Sequence, residues 1–160
     1  MDDIVISGIG QLPAGEHWDA SLRELGSAAV RAAIANAGNP KPQALFVANM
    51  LSMNISNQAH LATLIADRAD LTGIEAVTVE GGGASGGLAI RQAVMAVRSG
   101  FVDHAVVLGV EKFSDKAGVE LEAALATNMD GDYESMQGLT VTSQAALLMQ
   151  LYMARYNIEP

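Results

Sequence analysis

Gly81, Gly83 and Gly86 form a G-x-G-x-x-G pattern between a predicted strand and a predicted helix. Such a turn places backbone N–H groups at a helix N-terminus, where the helix dipole favours negative charge, and it can hold a phosphate. Dinucleotide-binding proteins carry this turn after the first strand and an acidic residue about 20 residues later. Here the turn follows the third predicted strand, and Glu111 lies too far along the chain. The pattern therefore favours a tight, closely packed turn over nucleotide binding.

Three polar side chains near this turn could also do chemistry. Ser85 carries a hydroxyl but has no histidine near it in sequence. We therefore interpret it as a residue that caps the helix or forms hydrogen bonds to the turn. Glu80 and Glu111 each follow a predicted strand, on the side where open α/β sheets place their sites. For both carboxylates the sequence favours structural hydrogen bonds to loop N–H groups. The polar segment 49–57 is interpreted as a plain connection, with a loop near a site as the alternative.

Composition excludes several classes of function. The 160 residues contain no cysteine, which rules out disulfides, a zinc ribbon, a redox C-x-x-C centre and a thiol nucleophile within this sequence. The histidines are isolated and show no metal spacing, so we predict no metal site. A net charge of −9 with only 9 Lys and Arg argues against nucleic-acid binding. The acidic start lacks a signal peptide and no apolar run reaches membrane-spanning length, so we expect a soluble cytoplasmic protein.

The elements that must position the glycine turn alternate along the chain. Strands are predicted at 4–7, 44–48, 75–79 and 104–110, and helices at 22–36, 58–69, 84–98, 120–126 and 140–156. This βαβαβαβ order predicts a layered α/β fold in a single domain, residues 1–160, followed by the start of a loop region. Helix 84–98 is apolar on more than one side, which predicts an internal position. Helix 140–156 is predicted to turn Ala145, Leu148, Leu151 and Tyr152 inward.

The segment around the glycine turn, Val79 to Ala93 (VEGGGASGGLAIRQA), resembles the nucleophile turn of the thiolase superfamily, particularly of its sterol-carrier and archaeal types. The agreement continues through Ser99 and Gly100 into the segment from Leu108 to Asp115 (LGVEKFSD). It also includes the start of the chain (ISGIG) and the region from Leu139 to Tyr156. The similarity thus covers nearly the whole chain, and it matches only the N-terminal part of a thiolase.

The resemblance implies a specific site. In the family a cysteine occupies the position of Gly83, where a thiolate at a helix N-terminus accepts an acyl group from coenzyme A. Glycine has no side chain to acylate, so we expect no acyl transfer through this position. We expect the backbone N–H groups of Gly83, Ala84, Ser85 and Gly86 to bind a coenzyme A thioester, with no tightly bound cofactor. The family's other catalytic groups belong to its C-terminal half.

The resemblance also implies a larger assembly. It predicts a mixed sheet sandwiched by helices, of which this chain would supply four strands and only the start of an inserted loop region. Strand 104–110 would then be an apolar edge that something must cover. We expect either a partner chain that carries the C-terminal thiolase half or a continuation of this chain. The resemblance further implies a homodimer through strand 75–79.

Three functional hypotheses follow. The first is a thiolase-like acyl-CoA acyltransferase protein or subunit of lipid metabolism that binds a coenzyme A thioester but lacks the acyl-accepting cysteine. The second is a thiolase-like aldolase subunit that acts on coenzyme A thioesters. The third is a non-catalytic scaffolding subunit.

Overall fold

The computed structural model describes residues 3–159, which form two compact units, one up to Asp115 and one from Lys116. The first unit contains a parallel three-stranded sheet of β1 (Ala44–Ala48), β2 (Glu75–Val79) and β3 (Ala105–Gly109). The strand order is β2-β1-β3, so β2 and β3 are the edges of the sheet in the described chain. Ala48 is in register with both Val79 and Gly109, and the carboxyl ends of the three strands are therefore level.

Helices cover both faces of this sheet. Helices α1 (Leu22–Asn36) and α3 (Leu61–Arg68) pack on the face that carries Leu45 and Val47. Helix α4 (Ser85–Arg98) packs on the face that carries Ala44, Phe46 and Ala48. All five residues of β1 are buried, as expected for a central strand covered on both sides. The predicted layered α/β fold is confirmed.

Local signals explain where the helices begin. In α1 the Ser21 hydroxyl accepts the Glu24 N–H at 3.2 Å, and the Glu24 carboxylate accepts the Ser21 N–H at 2.8 Å, which is the predicted capping box. The N–H of Ala62 in α3 donates to Thr78 Oγ1 on β2 at 3.0 Å. Gly26 allows α1 to approach α3 closely, because a Cβ there would lie 2.6 Å from Ile65 Cδ1. Between β1 and α3, the predicted connection 49–57 contains the short helix α2 (Ser52–Ile55).

The prediction of a first strand at 4–7 is wrong, because these residues pair with no strand in the described structure. The chain runs instead along α1, where the Ile9 N–H donates to the Asn36 side chain at 3.0 Å. The Gly10 backbone lies directly against the backbone of Ala29 and Ala33. The contact with α1 takes the place of the hydrogen bonds that a strand would form. The side chain of Ile6, which a buried strand would cover, is 85% exposed.

The predicted internal position of α4 is only half right. Its small residues Ala89 and Ala93 are buried against the sheet. Away from the sheet, Ile90 and Met95 are 56% and 54% exposed, because no layer of the first unit covers them. Helix α4 therefore carries four exposed apolar side chains, Leu88, Ile90, Val94 and Met95, on the flanks of an outer side that also carries Arg91 and Arg98.

The second unit contains helices α5 (Val119–Ala126) and α6 (Val141–Tyr156). Thr140 caps α6 in a capping box with Ser143, and Thr142 Oγ1 donates to Glu122 Oε1 on α5 at 2.8 Å. The predicted inward orientation of Ala145, Leu148, Leu151 and Tyr152 is wrong, because all four are exposed and no residue of α6 is buried. Contact with α5 alone covers too little of α6 to bury those side chains. The single domain 1–160 stays a prediction.

Candidate functional site

A cleft of about 300 Å³ lies at the carboxyl ends of the three strands, where open α/β sheets bind their ligands. Three chain segments form it, namely the end of β1 with the residues after it, the glycine turn before α4, and the end of β3 with the residues after it. The lining residues are Ala48, Asn49, Met50, Gly82, Gly83, Ser85, Gly86, Gly109, Val110 and Glu111.

The glycine turn is a single 3-10 turn, Gly82–Ala84, that leads directly into α4. Gly82 has φ +56°, a left-handed conformation that favours glycine. The buried Ser85 hydroxyl donates to Gly82 O at 2.7 Å and accepts the Gly81 N–H at 3.0 Å. Glu80 Oε1 accepts the Gly82 N–H at 2.6 Å. Ser85 and Glu80 therefore hold the turn, as the sequence favoured.

Gly83 is the exposed middle residue of this turn. A Cβ at Gly83 would meet no atom within 4 Å, so a side chain fits there without displacing a neighbour. The N–H groups of the next two residues are used inside the turn, because Ala84 donates to Gly81 O at 3.0 Å and Ser85 donates to Gly82 O. Gly83 and Gly86 line the cleft, whereas Ala84 does not.

The opposite wall of the cleft is built on Asn49, which is 5% exposed. Its Nδ2 group donates to Val110 O and to Glu111 Oε1, each at 2.8 Å. Its Oδ1 atom accepts the Ser52 N–H at 2.9 Å, and its own N–H donates to Val79 O at 3.3 Å. Asn49 thus links the carboxyl ends of all three strands.

Glu111 completes this wall through its second carboxylate oxygen. Oε2 accepts the N–H groups of Met50 and Leu51 at 3.0 and 3.1 Å. The predicted structural role of the Glu111 carboxylate is therefore confirmed. The sequence did not single out Asn49, although a polar residue directly after a fully apolar strand was a usable signal.

The charges around the cleft do not suit a phosphate. In the described chain no lysine or arginine lines the cleft, whereas the acidic Glu111 does. The nearest lysine in sequence, Lys112, is buried and pairs with Asp115 at 2.7 Å. The cleft fits an uncharged acyl or thioester group better than a nucleotide phosphate, in agreement with the weak dinucleotide pattern.

The isolated histidines remain apart from this cleft. Between residues 3 and 159 no three His, Cys, Asp or Glu side chains come close enough together to hold a metal ion. His17 contacts Pro13 O at 2.9 Å in the N-terminal segment. In the same range, no helix is both long and apolar enough to cross a membrane.

Comparisons with a family of proteins and with individual proteins both point to thiolases. The family described as "Thiolase, N-terminal domain" matches residues 4–159. An acetyl-CoA acetyltransferase of Methanothermobacter thermautotrophicus is 39% identical over 98% of this chain and 41% of its own length. An acetyl-CoA acetyltransferase of Methanocaldococcus jannaschii is 38% identical over 99% of this chain and 40% of its own length. The chain therefore spans about two fifths of the length of these curated relatives.

Proposed function

The chain belongs to the thiolase family through its N-terminal domain, and on that premise we propose that it binds a coenzyme A thioester in the cleft at the carboxyl ends of β1, β2 and β3. The relatives are named acetyl-CoA acetyltransferases, so an acetyl group on coenzyme A is the first ligand to test. The uncharged turn and the absence of basic side chains among the described lining residues support an acyl group at this place.

The position of Gly83 in the cleft is the observation that carries this proposal. Its N–H lies in the turn at the start of α4, where a backbone donor stabilises negative charge on a thioester oxygen. Because the N–H groups of Ala84 and Ser85 are used within the turn, we assign thioester contact to the N–H groups of Gly83 and Gly86. Gly83 has no atom that can take the acyl group, so the bound thioester stays intact at this position.

A pair of matched variants tests the binding site. Gly83 and Gly87 both have open space where a Cβ would lie, but only Gly83 lines the cleft. We expect Gly83→Leu to abolish acetyl-CoA binding in calorimetry and Gly87→Leu to preserve it. Absence of binding by the unmodified protein, or equal binding by both variants, would refute the proposed site.

We further propose that the rest of the thiolase fold covers this chain, either on a partner chain or on a continuation of the same chain. The four exposed apolar side chains of α4 support this, since large apolar side chains are costly to leave in water. The relatives are about 2.5 times longer than this chain, which supports the same proposal. Residues 1–160 alone should self-associate in light scattering and should melt at a lower temperature than the assembled fold. A stable monomer would count against a missing layer.

A homodimer through β2 is the remaining part of the proposal. Strand β2 is an edge of the described sheet, and its backbone groups on the outer side can pair with a second copy. Glu75 and Val79 bond toward β1, so the alternate residue Ala76 turns its N–H to the outer edge, and replacing Ala76 by proline should dissociate such a dimer in sedimentation experiments while the β1–β2 ladder stays intact. The same change in β1 would test folding instead of association, because β1 is the central strand.

A further inference from the structure

We propose that Glu111 is a positioning residue, which holds the Asn49–Leu51 wall of the cleft at the distance from the glycine turn that the acyl group of a thioester requires. This inference rests on the proposed function. It assigns to Glu111 an effect on acyl recognition that acts through the backbone of the wall, without contact between the carboxylate and the reacting atoms.

The hydrogen bonds around Glu111 carry the inference. Three donors from one short segment converge on its carboxylate: Asn49 Nδ2 at 2.8 Å, the Met50 N–H at 3.0 Å and the Leu51 N–H at 3.1 Å. A carboxylate accepts on both oxygens, so it can satisfy all three donors at once. An amide in its place would turn an NH₂ group toward one or more of these N–H donors, and the segment would have to shift.

The position of this segment matters because it is a wall of the cleft. Asn49 and Met50 both line the cleft, and Gly82, Gly83 and Gly86 line it as well. Asn49 is also bonded to Val110 O and to Val79 O, so its position depends on the ends of both neighbouring strands. Glu111 is the only charged side chain bonded to the wall within the described residues, and it comes from the residues after β3, 62 positions away from Asn49.

The same contacts argue against a proton-transfer role for Glu111. Most of the acceptor capacity of its carboxylate is used by the three N–H groups of the wall. Protonation of the carboxylate would remove the negative charge that strengthens all three hydrogen bonds, which is unfavourable. A role through the wall keeps every one of these hydrogen bonds in place.

The test compares Glu111→Gln with Asp67→Asn, a change of an exposed carboxylate on α3. Binding of acetyl-CoA and of free coenzyme A is measured by calorimetry on the assembled protein. We expect Glu111→Gln to lose about tenfold in its preference for acetyl-CoA over coenzyme A, with the affinity for coenzyme A unchanged. Asp67→Asn should retain the preference. A purely structural role would weaken the binding of both ligands alike.

Two further measurements keep the inference testable if Glu111→Gln folds poorly. Met50→Ala removes the side chain from the wall without touching the Glu111 hydrogen bonds, and it should also reduce the preference for acetyl-CoA. In the unmodified protein, the Met50 and Leu51 N–H groups should be protected from hydrogen exchange. Full retention of the preference in Glu111→Gln or in Met50→Ala, or unprotected N–H groups, would overturn this inference while the proposed function stands. Failure of the unmodified protein to bind acetyl-CoA would overturn both.

Discussion

The side-chain amide of Asn49 and the carboxylate of Glu111 meet at 2.8 Å at the carboxyl ends of β1 and β3. Asn49 is buried, and its other hydrogen bonds reach Val110 O and the Ser52 N–H. This pair joins two parallel strands at the place where the glycine turn of α4 faces the cleft. The stability of the sheet and the shape of the cleft are therefore linked through the same two side chains.

Replacing Asn49 by alanine should destabilise the protein. The change leaves the buried Ser52 N–H and the half-buried Val110 O without their side-chain partner, which costs about 2 kcal/mol. Urea denaturation should show a lower midpoint with an unchanged slope. The exposed Asn128 offers a control, and Asn128→Ala should leave the midpoint nearly unchanged. Equal midpoints for both variants would contradict the role of Asn49.

Alanine should be tolerated at Gly83 but not at Gly82. A Cβ at Gly83 meets nothing within 4 Å, whereas Gly82 has φ +56°, a left-handed conformation in which an alanine is strained. Denaturation should therefore place Gly83→Ala within about 0.5 kcal/mol of the unmodified protein and Gly82→Ala below it. The reverse order of stability would show that the turn has a different conformation.

Glu24 should make the stability of the protein depend on acidic pH. The Ser21 backbone N–H, followed by the Ser21 hydroxyl, lowers the pKa of the Glu24 carboxyl below its ordinary value of 4.5. Since the pKa is lower in the folded state, the stabilisation is present above pH 4.5 and is lost as the pH falls through the folded value. The advantage of the unmodified protein over Glu24→Gln in urea unfolding should shrink across that range. An advantage independent of pH would argue against the capping box.

The outer face of α4 should matter for association and not for the folding of this chain. Ile90 is 56% exposed, so Ile90→Gln should change the free energy of unfolding of the isolated chain by less than about 0.5 kcal/mol. In the assembly with the rest of the thiolase fold, the same change should weaken association in sedimentation experiments. Thr63→Gln on α3, on the opposite face of the sheet, serves as the control. Unchanged association in Ile90→Gln would exclude this face as the covered one.

Much of the fold follows from local signals in the sequence. The bounds of β1, β2 and α1 were predicted to the residue, because apolar runs bounded by turn residues and a capping box are read over a few positions. The parallel layers follow from the order of these elements. The glycine turn and its neighbours Ser85 and Glu80 were also found from the sequence, because they are adjacent along the chain.

The remaining features depend on distant partners. Residues 4–7 have the composition of a strand, yet a strand forms only where another strand pairs with it, and this segment lies near α1 instead. The role of Asn49 depends on Glu111, 62 positions away. The exposure of α6 and of the outer face of α4 depends on which layers are present around them. None of these relations is encoded within a short window of sequence.

Acylation of Gly83→Cys tests the central claim most directly. The assembled protein is incubated with acetyl-CoA, and the intact mass of the chain is measured with and without the substitution. We predict that the unmodified chain keeps its mass and that Gly83→Cys gains one acetyl group, because its thiol would lie at the N-terminus of α4 beside the proposed thioester site. A Gly83→Cys chain that binds acetyl-CoA but gains no acetyl group, or an acetylated unmodified chain, would contradict the account.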